Sequence, residues 1–134
     1  MATVWKVEDE AERVLRQRRA FRECVASLAK PPSDVDAAEL IYGELVANTV
    51  RYAKGAVEVR LEVADSHPPV LIVRDHGPGL RVRPWPPRRD VFAESGRGLG
   101  IVELLARDVA VDDADGGGTV VRATLPVTPR ERAA

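Results

Sequence analysis

Glu44 and Asn48, in the stretch ELVAN, stand four residues apart, so on a helix both project from one face. A carboxylate and an amide carbonyl held together suit a hard cation such as magnesium, which prefers oxygen ligands and keeps several waters. A carboxylate beside bound phosphate also orients or deprotonates an attacking hydroxyl. An exposed polar pair on a helix is the plainer reading of the same spacing. Asp75 ends the apolar run VLIVRD, and Gly77 and Gly79 follow it. Bare backbone there admits tight turns and the close approach of a ligand. A carboxylate at the end of a buried strand accepts hydrogen bonds from an amine on a flat ring, although Asp-x-Gly is also an ordinary turn. Gly96, Gly98 and Gly100, interleaved with Arg97 and Leu99, run into a Leu/Ile/Val-rich helical pattern. Glycines that open a helix expose unpaired amides where the dipole favours anions. Phosphate binding is the evident use, and a ligand-free hinge the alternative. Thr119 opens the last long strand after three glycines. Its hydroxyl can bond a ligand or Asp75; a glycine-rich turn before a β-branched residue is the simpler reading.

The elements that must hold these groups follow from periodicity. TVWKV alternates as a short strand, and residues 8–30 carry Val14, Leu15, Phe21, Val25 and Leu28 at helical spacing. The segment KPPSD breaks the chain, and Ser33 is the expected N-cap of a second helix over about residues 34–53 that Gly55 ends. AVEVRLEVA alternates apolar and charged residues as a half-buried antiparallel strand does, DSHPP is a turn, and VLIVRD is a central strand. His76 is read as a loop residue. A stretch of about 20 residues with four prolines, HGPGLRVRPWPPRRDVFAESG, lacks periodicity, and loops of that length are usually functional, often lids. In it Arg81, Arg83, Arg88, Arg89 and Trp85 can meet phosphate, a partner or solvent. A helix from Gly98 to about Arg107 and a closing hairpin of DVAVDD and TVVRATLP complete the fold, with residues 127–134 as a loose tail. The order predicts an α+β class: a two-layer α/β sandwich with helices on one face of a mostly antiparallel, mixed sheet, in a single domain over 1–134.

Composition narrows the function classes. A net charge of −1 over 134 residues argues against general attraction to nucleic acid. The single cysteine, Cys24, allows no internal disulfide, which fits a reducing cytoplasm, and no apolar run approaches the roughly 20 residues of a membrane span. There is no G-x-x-x-x-G-K-[ST] phosphate loop. A dinucleotide fingerprint needs a strand just before its glycines and a third glycine where Ile101 stands.

Taken in order, GELVANTVRYA, VRDHGPGL, GRGLGIVELLA and GGGTVVRATLP resemble the N box and successive glycine boxes of the gyrase and histidine-kinase (GHKL) ATPase superfamily. Their wording looks most like its bacterial anti-sigma-factor serine kinases, and the resemblance is strongest from Asp36 to Pro126. It implies the Bergerat ATP-binding fold with an ATP lid, and ATP and Mg2+ as cofactors. By the same resemblance Asn48 would ligate magnesium and Glu44 would be the general base or position the attacking hydroxyl. Asp75 would accept the exocyclic amine of adenine, backed by Thr119, and Gly77 and Gly79 would shape the adenine pocket. The amides of Gly96, Arg97, Gly98, Leu99 and Gly100 would meet the phosphates. The implied reaction moves the γ-phosphoryl of ATP to a serine of an antagonist protein, and the implied partners are that antagonist and a sigma factor. A homodimer through the first strand or the outer sheet face is a further expectation. The alternative is an ATP-binding interaction module, or a detached histidine-kinase-like domain, that sequesters or switches a partner without phosphorylating it.

Overall fold

The computed structural model describes residues 1–52, 55–81 and 97–131. Five strands form one sheet in the order β1-β3-β4-β6-β5, every neighbouring pair antiparallel: β1 (Ala2–Glu10), β3 (Ala56–Ala64), β4 (His67–Arg74), β5 (Asp108–Asp113) and β6 (Thr119–Thr124). The alternation read in AVEVRLEVA is complete. Val57, Val59, Leu61 and Val63 are buried, while Glu58, Arg60 and Glu62 face the other way. The four helices among the described residues, α1 (Ala11–Arg16), α2 (Arg18–Leu28), α3 (Val35–Tyr52) and α4 (Arg97–Leu105), share a core with the inward side chains of the sheet. The expected two-layer α+β sandwich is therefore present, with a wholly antiparallel sheet among the described strands. No described helix is long and apolar enough to cross a membrane.

Several boundaries differ from expectation for physical reasons. Residues 8–10 remain in β1, because Glu8, Asp9 and Glu10 register with Glu58, Val57 and Ala56, so the first helix begins at Ala11. It breaks at Gln17, whose N–H bonds Val14 O at 3.1 Å in an i,i+3 turn, and α2 restarts from there. The break lets Val14, Phe21 and Val25 all reach the core. The N-cap of α3 is Asp34 rather than Ser33: Asp34 Oδ1 accepts the Ala37 N–H at 2.9 Å. The Ser33 hydroxyl instead accepts the Thr128 N–H at 2.8 Å and donates to Lys30 O at 2.6 Å. The turn between β3 and β4 shortens to Asp65 and Ser66, and Pro68 and Pro69 join β4, whose first residues tolerate proline.

The tail is corrected most. Residues 127–131 are held in the fold. Val127 is fully buried, and β7 (Thr128–Pro129) pairs with β2 (Ala29–Lys30). Arg130 donates to Leu28 O at 2.7 Å and to Ala29 O at 2.9 Å. Residues 132–134 lie outside the described residues.

An aromatic cluster joins the layers. Phe21 and Tyr42 stack at 4.5 Å between centroids, and Trp5 meets them edge-on at 5.7 and 5.8 Å. The Tyr42 hydroxyl donates to Val14 O at 2.6 Å, tying α3 to α1, and burial pushes its pKa above the ordinary tyrosine range. The fold thus prefers the neutral phenol. That stabilisation is intact below the unfolded pKa of about 10 and is lost as pH climbs above it. Tyr42→Phe should cost about 1 kcal/mol at neutral pH. Its stability should also fall less steeply than the wild type's above about pH 10, read from urea midpoints across the alkaline range.

Candidate functional site

Asp75 follows β4 at the end of the sheet and is 4% exposed. A carboxylate so buried must have its oxygens bonded. The Thr119 hydroxyl donates to Oδ2 at 2.6 Å, and the Gly77 N–H donates to Oδ1 at 2.9 Å. The backbone adds a third tie, because the Asp75 N–H donates to Thr119 O at 3.0 Å. Two accepted bonds leave a carboxylate lone pairs to spare, so a ligand amine at this floor finds an acceptor already oriented.

The glycine turn between β5 and β6 makes this possible. Gly118 has φ +87°, and a Cβ there would lie 2.0 Å from Asp75 O. Its backbone passes where no side chain fits, which seats Thr119 against Asp75. Arg74 Nη2 holds the same turn from the strand side, donating to Asp115 O at 2.6 Å. Asp113, at the end of β5, accepts the Leu80 N–H at 2.7 Å and anchors the loop after Asp75. Gly79 is required beside it, since a Cβ there would stand 2.6 Å from Asp113 Oδ1. Neither Gly118 nor Asp113 was singled out from sequence. Gly118 carried a faint signal as the third glycine before a strand; Asp113 carried none, because its partner lies 33 residues away.

Chain direction brings the other groups to the same end. α3 starts at the far end, where Asp34 N–H bonds Pro126 O, and runs towards the start of β3, which pairs with the end of β4. α4 leads at its C-terminus into Asp108, which pairs with Thr124 at the far end, so its N-terminus lies on the Asp75 side. α3 and α4 pack together. Glu44 and Asn48 are half-buried one turn apart on α3, and their side chains take no hydrogen bond or ion pair from another described residue. No bond joins them directly to the Asp75 cluster. Arg97, Gly98, Leu99 and Gly100 form the first turn of α4, where backbone N–H groups lack intrahelical acceptors. The Leu99 side chain is buried in the core, so only its amide is available there. Gly96 and the lid residues Arg83, Trp85, Arg88 and Arg89 lie outside the described residues, and His76 and Arg81 are exposed.

These residues fit a nucleotide with its metal. Among the described residues no group of three or more His, Cys, Asp and Glu forms an all-protein metal cage. One carboxylate and one amide suit magnesium that completes its shell with phosphate oxygens and water. The glycine turn gives a direct test of the Asp75 seat. Gly118→Ala should destabilise the fold by at least about 3 kcal/mol, through positive φ plus a backbone collision. Gly116→Ala, at φ +82° with open space around it, should lose only about 1 kcal/mol in the same urea titration.

Comparison with known proteins agrees with this geometry. The family profile of the histidine kinase-like ATPase domain matches residues 7–125. Among solved structures the chain is similar to the mycobacterial sensor histidine kinase MprB, at 23% identity over 94% of this chain and 99% of that one, with a TM-score of 0.57. It is also similar to the Acinetobacter baumannii histidine kinase AdeS, at 18% identity over 92% and 68% of the two chains, with a TM-score of 0.53. At such identities the likeness speaks for the fold alone. No curated protein matches the sequence. The family match runs from the middle of β1 to the residue after β6 and includes every described element of the candidate site: the chain belongs to the histidine kinase-like ATPase domain family.

Proposed function

We propose that the chain binds Mg-ATP at the Asp75 end of the sheet and transfers the γ-phosphoryl group to a serine of an antagonist protein, in the manner of the anti-sigma-factor kinases its boxes resemble. The observation that carries the nucleotide reading is the buried Asp75 carboxylate held by Thr119 and Gly77. An ionised carboxylate only accepts hydrogen bonds. It therefore reads the exocyclic amine of adenine and repels the carbonyl that guanine carries in its place. The first turn of α4 supplies amides without intrahelical acceptors and a positive dipole end for the phosphates. Magnesium, held by Asn48 and the phosphates, would neutralise charge on the transferring group.

For the transfer, Glu44 is the group on α3 beside Asn48 whose carboxylate has no partner among the described residues. It takes the proton of the attacking serine hydroxyl. The serine Oγ–P bond forms, the bond from the γ-phosphorus to the β-bridging oxygen breaks, and ADP leaves with that oxygen. Such a reaction needs mostly positioning and charge neutralisation. The resemblance of the four boxes also supports a sigma factor as the second partner. A module that binds ATP and sequesters its partner without transfer is the other reading. It is favoured by one observation: no described residue orients the Glu44 carboxylate.

Incubation with magnesium, γ-labelled ATP and candidate antagonist proteins separates the two. Label on a partner serine supports the kinase; tight ATP binding with no transfer to any candidate supports the module. Asp75→Asn should weaken ATP binding at least about tenfold by calorimetry, because an amide donor replaces part of the acceptor. Unchanged affinity would remove Asp75 from the pocket. Glu44→Ala should leave ATP affinity within about twofold and lower the transfer rate by at least about a hundredfold in single-turnover assays. Equal losses in both would mark Glu44 as structural.

A further inference from the structure

The sheet has two edge strands, and they are not alike. β1 forms one edge, and its ladder to β3 slips between Thr3 and Trp5, an irregularity of the kind that blunts an edge. β5 forms the other and keeps a single register with β6 from Asp108 to Asp113. The Ala114 N–H donates to Gly118 O at 2.9 Å, so the bonded side at Ala114 faces β6. Bonded sides alternate along an antiparallel strand. Asp112 and Ala110 therefore also bond β6, while Val111 and Val109 turn their N–H and C=O away from it. Thr119, opposite Asp113, turns its carbonyl to the Asp75 N–H at 3.0 Å instead, as that alternation requires. Among the described residues no strand takes up the outward groups of Val109 and Val111. The side chains divide the same way. Val109 and Val111 are half-buried against the core, and Asp108, Ala110 and Asp112 are exposed on the other face. Asp112 has an ion pair with Arg122 at 3.6 Å, and Asp108 has none among the described residues.

We infer that β5 is a docking edge for an extended, basic segment of another protein, which adds antiparallel to it as one more strand of the sheet. Main-chain bonds to Val109 and Val111 hold such a segment, and alternate side chains give it specificity. Two apolar residues of the segment lie opposite Val109 and Val111 and continue the core. Lys or Arg lies opposite Asp108 and opposite Asp112 on the other face. The segment thus reads basic, apolar, any residue, apolar, basic. Charge selects this occupant, because opposite charges attract across neighbouring strands and like charges repel. A second copy of β5, laid antiparallel with Val109 opposite Val111, would set Asp108 against Asp112 twice, so the edge selects against its own copy. Residues 108–112 include none of the nucleotide-site residues, so segment binding and ATP binding are read separately.

A labelled peptide, Thr-Lys-Val-Thr-Val-Lys-Thr, tests it on the full chain at low salt without nucleotide. It should bind saturably by fluorescence anisotropy. At saturation it should slow amide exchange at Val109 and Val111 at least about fivefold, and change Ala110 and Asp112 little, since these already bond β6. The same peptide with Glu for both Lys should bind at least about tenfold more weakly. The double variant Asp108→Lys/Asp112→Lys should reverse that preference, with urea midpoints to confirm that it is folded. N-methylation of the two valine nitrogens of the peptide should abolish binding, and N-methylation of its lysine nitrogens should not, because in antiparallel pairing only the valine nitrogens face β5. The two changes to the peptide test the edge even if the protein variant folds poorly. Absence of saturable binding, protection at other amides, indifference to the charge of the peptide, or tolerance of methylated valines would each overturn the inference.

Discussion

A buried carboxylate sets the terms for this fold. Asp75 is nearly inaccessible, and a charge taken out of water demands hydrogen bonds to its oxygens. The Thr119 hydroxyl and Gly77 amide supply them, and each requirement propagates outward. Thr119 must start a strand next to the one Asp75 ends, which places β6 beside β4. The turn into Thr119 must pass against the Asp75 backbone, which only a glycine at positive φ allows. The loop after Asp75 must leave the sheet at once, and Asp113 receives it on the next strand but one. A single acceptor at a strand end thus accounts for the strand order at the centre of the sheet, the glycine-rich turn and the anchored loop after Asp75.

The second layer answers a different need, which is to bring acids and amides from separate helices to that end. α3 reaches it with its C-terminal half and α4 with its N-terminus, so the two run antiparallel. The arrangement holds because α3 is fixed at its start, by the Asp34 cap and the β2/β7 pairing, and along its length by the Phe21, Tyr42 and Trp5 cluster. Arg22 of α2 adds ion pairs to Asp36 at 2.6 Å and Glu39 at 3.6 Å on the solvent side. Glu44 and Asn48 need no side-chain partner for their placement. The burial of Ile41 and Leu45 beside them sets the helix rotation, and that rotation sets where they point.

Much of this was legible wherever a local pattern decides the outcome. The alternation of residues 56–64 and the helical spacing of Val14, Phe21 and Val25 each require only neighbours in sequence, and both patterns bury their apolar residues in the structure. The Thr119–Asp75 bond was open as one of two readings, because a hydroxyl after a glycine turn has few places to go. What escaped was non-local. Ser33 looks like a cap in sequence, yet Thr128 claims its hydroxyl from 95 residues away, and Asp34 caps instead. The tail lacks periodicity, but Val127 fills the core and Arg130 finds the carbonyls of residues 28 and 29. Asp113 reads in sequence only as the end of the strand DVAVDD, and only the fold brings it to Leu80, 33 residues away.

The two faces of β4 meet in one residue. Leu71 and Val73 point into the core, while Ile72, itself only 5% exposed, and Arg74 lie on the other face of the strand. Arg74 also reaches around the sheet end to the carbonyl of Asp115, in the turn that carries Gly118 to Asp75. It immediately precedes Asp75 in sequence, so one residue adjoins both the outer face of the sheet and the turn that seats the Asp75 carboxylate. Arg74→Lys keeps the charge but lacks the second guanidinium nitrogen that spans to Asp115, so it separates the role of Arg74 on the face from its role in the turn.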